Sequence, residues 1–470
     1  MDYVNTAGRL AAPVEHRVGG FADIAAKAIF VSLLVLIAFT SVPYGTAEAW
    51  WKAFFVCAVV ALTLIALIES MVSSSSSLGG RALLIPLVLS TVFAFLQTIP
   101  VGAQATPGIP HSSWNAISAD PYGTRFFALQ LLALTLAAAL LFRYTSTERR
   151  LSLVIHVIIG VAVASALFGM MRQTTQHSAG FVLPLIQPGQ GYGQFINQNH
   201  FAFLMEMGFG LTLGTIVGGG VRRERALIYV ASLLPIWTAL VLSNSRGGLL
   251  AMLAQVIAGV LLFPLVVPPV NSKSGDLKAS RIVRLLPVRV FFLVLLLLGV
   301  VGGTLWMGGE RLVSRFEPGR GERDPAAASR KEIWQATWDM AKAHPIAGVG
   351  MGGYWVAIPV YHDASGTLVP QEAHNDYLEL LASGGIIGAA LGIWFCSVLF
   401  KRTWTSLRSP SRFRRATSFG AALGIVGVGV HSLFDFGLHM IVNALIFITL
   451  IVIATTDVKD EVTFERKVIP

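Results

Sequence analysis

Apolar runs of roughly 17 to 22 residues follow one another along almost the whole chain, each long enough to cross a hydrocarbon core of about 30 Å as a helix. They fall at 26–43, 50–70, 81–100, 125–143, 151–171, 199–219, 226–243, 247–267, 286–307, 384–400, 415–431 and 438–456. The pattern predicts an all-α polytopic membrane protein of about twelve transmembrane helices, with one large loop, 308–383, between the ninth and the tenth. On this reading residues 1–185 carry the first five spans, 186–457 carry the rest together with the large loop, and 458–470 form a tail. Inside the loop the stretch from Arg330 to Lys342 places Ile333, Trp334, Thr337, Trp338 and Ala341 on one face at helical spacing, which predicts an amphipathic surface helix. His344, Pro345 and the glycines at 348, 350, 352 and 353 end it.

Composition removes the soluble alternative, because 54% of the 470 residues are hydrophobic, 13% are charged and the mean hydropathy is +0.68. A soluble domain cannot hide that much apolar surface. Lys and Arg then set the orientation, since short cytoplasmic loops retain them. Arg81, Arg143, Arg149, Arg150, Arg222, Arg223, Arg225, Lys401, Arg402, Arg408, Arg412, Arg414 and Arg415 fall in alternate loops on one side, and both termini join that side. The expected placement is therefore multi-pass with both termini cytoplasmic. The net charge of +10 reports topology, not affinity for nucleic acid. Cys57 and Cys396 lie inside spans and offer neither a disulfide framework nor a metal site.

Titratable groups concentrate on the opposite, outward face. His374, in the run Glu372-Ala373-His374-Asn375-Asp376-Tyr377, precedes a helix expected over 376–383 that leads through Gly384 and Gly385 into the tenth span. An imidazole there can take a proton from a hydroxyl near neutral pH, with Glu372, Asp376 or Glu379 to orient it. Arg246, in Ser243-Asn244-Ser245-Arg246-Gly247-Gly248, sits on the outward side against the positive-inside bias, where an anionic ligand would compensate it. Arg330 offers a second contact of the same kind, so two arginines can neutralise a pyrophosphate without a divalent cation. Asn197, Asn199, Trp334, Tyr354, Asn375 and Asp376 suit sugar hydroxyls or ring faces, and equally helix caps and an aromatic belt. Glu206 falls within the sixth span, where an ionisable group is a functional candidate by default. The turn from His431 to His439 can line the same cavity, with no step assigned to it. Gly348 to Gly353 lacks the strand and the Gly-Lys-Ser ending of a nucleotide loop, and no zinc pattern occurs. A mechanism with no metal and no cofactor is the expectation.

Five blocks in order, GQFINQNHFA (193–202), SNSRGG (243–248), RKEIW with AHPIAGVGMGGY (330–354), HNDYLELLASGGIIG (374–388) and HSLFDF (431–436), resemble the O-antigen ligase and O-antigen polymerase superfamily over about residues 185 to 450. The resemblance implies a metal-independent, inverting glycosyltransferase of the multi-span C-type architecture in the bacterial inner membrane. Its donor would be a glycan on undecaprenyl pyrophosphate, and its acceptor a hydroxyl on a lipid or a glycan at the periplasmic side. It further implies His374 as the base, and Arg246 and Arg330 as the residues that bind the diphosphate. A polymerase joining lipid-linked repeat units shares this chemistry. A lipid-linked glycan flippase or transporter, or a noncatalytic subunit of an export complex, is the rival from outside it. One-sided charge and the lack of matching halves favour an enzyme over a transporter.

Overall fold

The computed structural model describes residues 14–73, 79–105, 113–175, 186, 191–266, 325–362 and 369–457. The apolar runs become helices. We label them α1 (Val14–Phe39), α2 (Ala49–Ser73), α3 (Arg81–Leu96), α4 (Pro121–Tyr144), α5 (Glu148–Thr175), α6 (Gln198–Val217), α7 (Arg223–Leu242), α8 (Arg246–Val266), α9 (Pro325–Ala343), α10 (Asp376–Ser406), α11 (Arg412–His431) and α12 (Ile441–Thr455). Among the described residues eight of these, α1, α2, α4 to α8 and α10, are long and apolar enough to cross a membrane. α3 and α12 are shorter apolar helices. The chain is thus a mostly helical polytopic membrane protein. The ninth span expected at 286–307 lies outside the described residues, as do 308–324 and 363–368 of the large loop, most of the serine-rich connector and the tail from 458 onward.

The Pro- and Gly-rich loop after α3 is less irregular than its composition implies. It contains a two-stranded antiparallel ribbon, β1 (Pro100–Ala105) and β2 (Ser113–Ala116), with Pro100 opposite Ala116 and Gln104 opposite Trp114. Asp120 then caps α4, its carboxylate accepting from Gly123 N–H at 2.9 Å just ahead of Pro121 at the helix start.

Helix α6 is the axis of the bundle. All residues from His200 to Thr215 are buried, as expected of a helix that is apolar all round and packed on every side by α5, α7, α8, α11 and α12. Small residues set its closest contact: a Cβ on Gly210 would lie 2.5 Å from Gly424 N, and one on Gly214 2.4 Å from Gly420 Cα, so α6 and α11 touch backbone to backbone. At the end of the bundle away from the large loop, buried Arg414 of α11 donates to the carbonyls of Ile453 and Ala454 and to Ser406, satisfying the C-terminal turn of α12. Among the described residues the largest buried apolar cluster takes in positions from Ile29 to Ala454, with smaller ones around Met340 and around Phe419.

The expected helix after His374 forms and continues through its glycines as α10, kinked at Gly385, whose φ of 60° and ψ of −160° only glycine adopts readily. The carbonyls released by the kink find partners. Val349 and Gly350 donate to Ala382 and Ser383 at 3.0 Å, and the Gln97 side-chain amide reaches Ser383 O and Ala347 O. The glycine-rich run after α9 is therefore a backbone clamp across the kink of α10. α9 itself is amphipathic as predicted, but its buried face is Ile333, Ala336, Thr337, Met340 and Ala341, and Trp338 stands exposed on the other side.

Candidate active site

Asn375 begins the construction. Its side chain accepts from Tyr377 N–H and Leu378 N–H at 3.1 and 3.0 Å, capping α10 and so fixing where the preceding residue must stand. Ala373, two residues back, is held on both sides: its N–H donates to Glu379 at 2.8 Å and its carbonyl accepts from the Trp334 indole at 2.9 Å. Between these anchors His374 adopts a φ of 52°, a left-handed conformation that costs a branched or bulky side chain energy and persists only where its surroundings impose it.

The second wall is the loop after α11. His431 ends that helix, and its carbonyl accepts from Phe434 N–H and from Asp435 N–H, turning the Asp435 carboxylate inward. With its side chain 1% exposed, Asp435 is the hub of the site. Its Oδ1 faces His374 Nδ1 at 3.3 Å and accepts from Phe436 N–H at 3.0 Å. Its Oδ2 accepts from Asn199 Nδ2 and from the Arg330 guanidinium, the latter at 3.4 Å. Burial alone would push the Asp435 carboxyl up, but the His374 hydrogen bond, the neighbouring imidazoles and the Phe436 N–H outweigh it and hold the group well below the usual carboxylate range. An ionised Asp435 selects the His374 tautomer with its proton on Nδ1, leaving Nε2 as an acceptor.

A cavity of about 670 Å³ opens beside His374. Its lining combines polar Glu372, Asp376, Glu379 and His439 with apolar Leu87, Leu134, Phe447 and Ile448. Here a second histidine gathers the acids of the 372–379 segment. His439 Nδ1 lies 3.1 Å from Glu372, and its Nε2 lies 3.7 and 3.6 Å from Asp376 and Glu379. Burial lowers the His439 pKa, but the surrounding carboxylates override it and raise it to about 10. Glu372, where burial acts in the opposite sense, is held at about 2 chiefly by the His439 imidazolium. Ligand atoms of Glu372, Glu379 and His439 lie within 4.8 Å of one another, the spacing of a metal site. Only the deprotonated His439 ring can serve as a ligand there, so any metal would compete with the proton that His439 shares with these acids.

The sequence-derived candidates separate accordingly. His374, Arg330 and Asn199 converge on Asp435. Asn197 caps α6 through Asn199 N–H. Trp334 buttresses the His374 loop, and Tyr354, 3% exposed, is tied to Thr337 at 2.7 Å. Asp376 binds Ser432 Oγ at 2.6 Å and faces His439. Arg246 opens α8 at the same end of the bundle, in the turn that abuts His431. Glu206 is placed elsewhere: it is wholly buried in α6, bonded to His431 at 2.9 Å and away from the cavity wall. The acid that orients His374 is Asp435, not Glu372, Asp376 or Glu379, because Glu372 in the segment before α10 and Asp376 and Glu379 in its first turn all face His439. The sequence places Asp435 and His439 in a turn that can line the cavity but assigns neither a step; their signal is an acid and a histidine in an outward turn of a chain poor in charge.

Residues 231–393 match the family model described as O-Antigen ligase. That stretch contains Arg246, Arg330 and His374, while Asn199 and Asp435 flank it. No curated protein matches the chain.

Proposed function

From a chain that carries the O-antigen ligase domain and falls in the ligase and polymerase superfamily, we propose a membrane glycosyltransferase that moves a glycan from undecaprenyl pyrophosphate to an acceptor hydroxyl on the periplasmic side. The observation that carries this reading is His374, seated on a buried carboxylate at the rim of a cavity, with a guanidinium on the far oxygen of the same carboxylate. His374 Nε2 removes the acceptor proton while the hydroxyl oxygen attacks the anomeric carbon in line. The bond from that carbon to the phosphate oxygen breaks as the new glycosidic bond forms, which inverts the centre. Undecaprenyl pyrophosphate departs with both bonding electrons, its charge met by Arg330 and Arg246. No step requires a metal ion or a cofactor.

On this assignment the acceptor occupies the cavity, where the carboxylates of its lining accept hydrogen bonds from sugar hydroxyls and its apolar side chains accommodate a lipid chain. That lining favours a lipid-linked acceptor, in a ligase or in a polymerase. On this proposal the outward face carries the site and the membrane is the bacterial inner membrane, and the Lys and Arg pattern supports placing both termini in the cytoplasm. The test is release of undecaprenyl pyrophosphate from a lipid-linked oligosaccharide by the purified protein in EDTA. Acceptor-dependent release that is lost in His374→Ala is expected, and the acceptor that works separates ligase from polymerase. Uptake of the intact glycolipid into vesicles without release would overturn the proposal in favour of transport.

A further inference from the structure

The bundle core contains a histidine and carboxylate pair to which the mechanism assigns nothing. Glu206 of α6 and His431 at the end of α11 are each fully buried, with Glu206 Oε2 and His431 Nδ1 2.9 Å apart. Among the described residues Glu206 Oε1 has no hydrogen-bond partner, so His431 is the contact that satisfies this carboxyl group. A buried acid is costly to keep in a membrane protein, which makes its placement informative.

His431 touches both halves of the proposed site. One face of its ring stacks on Phe203, with centroids 4.0 Å apart and planes 14° from parallel. Its far edge meets the turn before α8: Nε2 is 3.5 Å from Ser245 Oγ, and a Cβ on Gly247 would fall 2.4 Å from its Cδ2. Ser245 is the cap of α8, accepting from Gly248 N–H at 3.1 Å, and Arg246 stands between the two residues that the ring contacts. The preceding Asn244 has a φ of 55°, so this turn is held in a conformation that costs energy. Meanwhile the His431 carbonyl accepts the N–H of Asp435 at 3.1 Å.

We propose that Glu206 and His431 form a buried positioning pair, in which Glu206 fixes the His431 ring and His431 sets both the turn carrying Arg246 and the loop carrying Asp435. The inference rests on the reading that Arg246 binds the donor diphosphate. His431 touches no substrate; it acts through Arg246 and Asp435, so its removal changes donor affinity and turnover through those two residues. A residue that served folding alone would lower stability and leave the function of the folded fraction intact.

The test measures affinity for undecaprenyl pyrophosphate on the purified full chain for wild type, H431L, H431N, E206Q, R246A and the double variant H431L/R246A. H431L is expected to bind the probe about tenfold more weakly, and the double variant no more weakly than R246A alone, to within about twofold, because the two substitutions remove one interaction. In H431N the side-chain amide stands where the ring Nδ1–H stood, and affinity should return to within about threefold of wild type. Losses that multiply in the double variant, or an unchanged affinity in H431L, overturn the pair's role. Should H431L not fold, the cycle between E206Q and R246A is scored by the same criterion. R246A binding as tightly as wild type defeats the phosphate reading of Arg246, and the inference with it; weak binding by R246A beside unchanged H431L defeats the inference alone.

Discussion

Among the described residues three histidines pack against the Phe436 ring, and two of them, His374 and His439, have the same residue types around them and yet differ in chemistry. The ring centroid of His374 lies 4.8 Å from that of Phe436, and the His439 centroid lies 5.7 Å from it. His374 meets one carboxylate, at Nδ1, and is 29% exposed at the cavity rim. His439 meets three carboxylates through both ring nitrogens. A single buried acid on one nitrogen orients an imidazole and leaves the other nitrogen to accept a proton. Acids on both nitrogens hold the ring charged, and a charged imidazole is an electrostatic pin across the ends of α10 and α12. What decides a histidine's role here is how many acids reach it and through which atoms.

His374→Ala should reduce turnover by about 10² to 10⁴ with donor binding nearly unchanged, and a mutant with wild-type turnover would remove the base from the mechanism. Next comes Asp435→Asn, which keeps the shape of the hub but loses the charge that selects the tautomer. Its turnover should fall on the order of 10²-fold with donor KM little altered. An equal loss in Asp376→Asn would erase the distinction between the two histidines. A smaller effect is expected from Arg330→Ala, which should raise donor KM roughly tenfold through the lost phosphate contact. A change confined to acceptor KM would reassign that guanidinium.

The smallest effect on activity and the clearest effect of pH belong to His439. Its pKa rises from an ordinary 6.5 to about 10 in the folded protein. The stability it supplies is therefore complete below pH 6.5 and is lost as pH climbs through about 10. Thermal melts of wild type between pH 6 and 10.5 should fall more steeply on the alkaline side than those of His439→Gln. Turnover of that variant at neutral pH should stay within about fivefold of wild type. Parallel melting curves would show that His439 carries no extra charge in the folded state.

The α10 segment shows how much of this was legible. The helix from 376, a capping role open to Asn375 and the passage through the paired glycines into the tenth span follow from local rules, because capping and glycine conformation act over four or five residues, whereas the kink at Gly385 belongs to the tertiary structure. The amphipathic α9 was legible for the same reason, although the period alone set Trp338 on the wrong face. The anomalous outward arginines and His374 could be picked out because charge is scarce in this chain. The partner of His374 could not: Asp435 lies 61 positions further on, and nothing local distinguishes it from the nearer Glu372 or Glu379.

Length, hydropathy and charge asymmetry by themselves determined a polytopic helical protein with its titratable groups gathered at one end, since burial in lipid leaves apolar helices few alternatives. Helix packing decided the rest. The backbone contact of α6 with α11 brings Glu206 to His431, the first turn of α10 sets Asp376 and Glu379 beside His439, and the turn after α11 delivers Asp435 to His374. Those pairings depend on side-chain direction between distant segments, which a run of residues does not encode until the helices are set against one another.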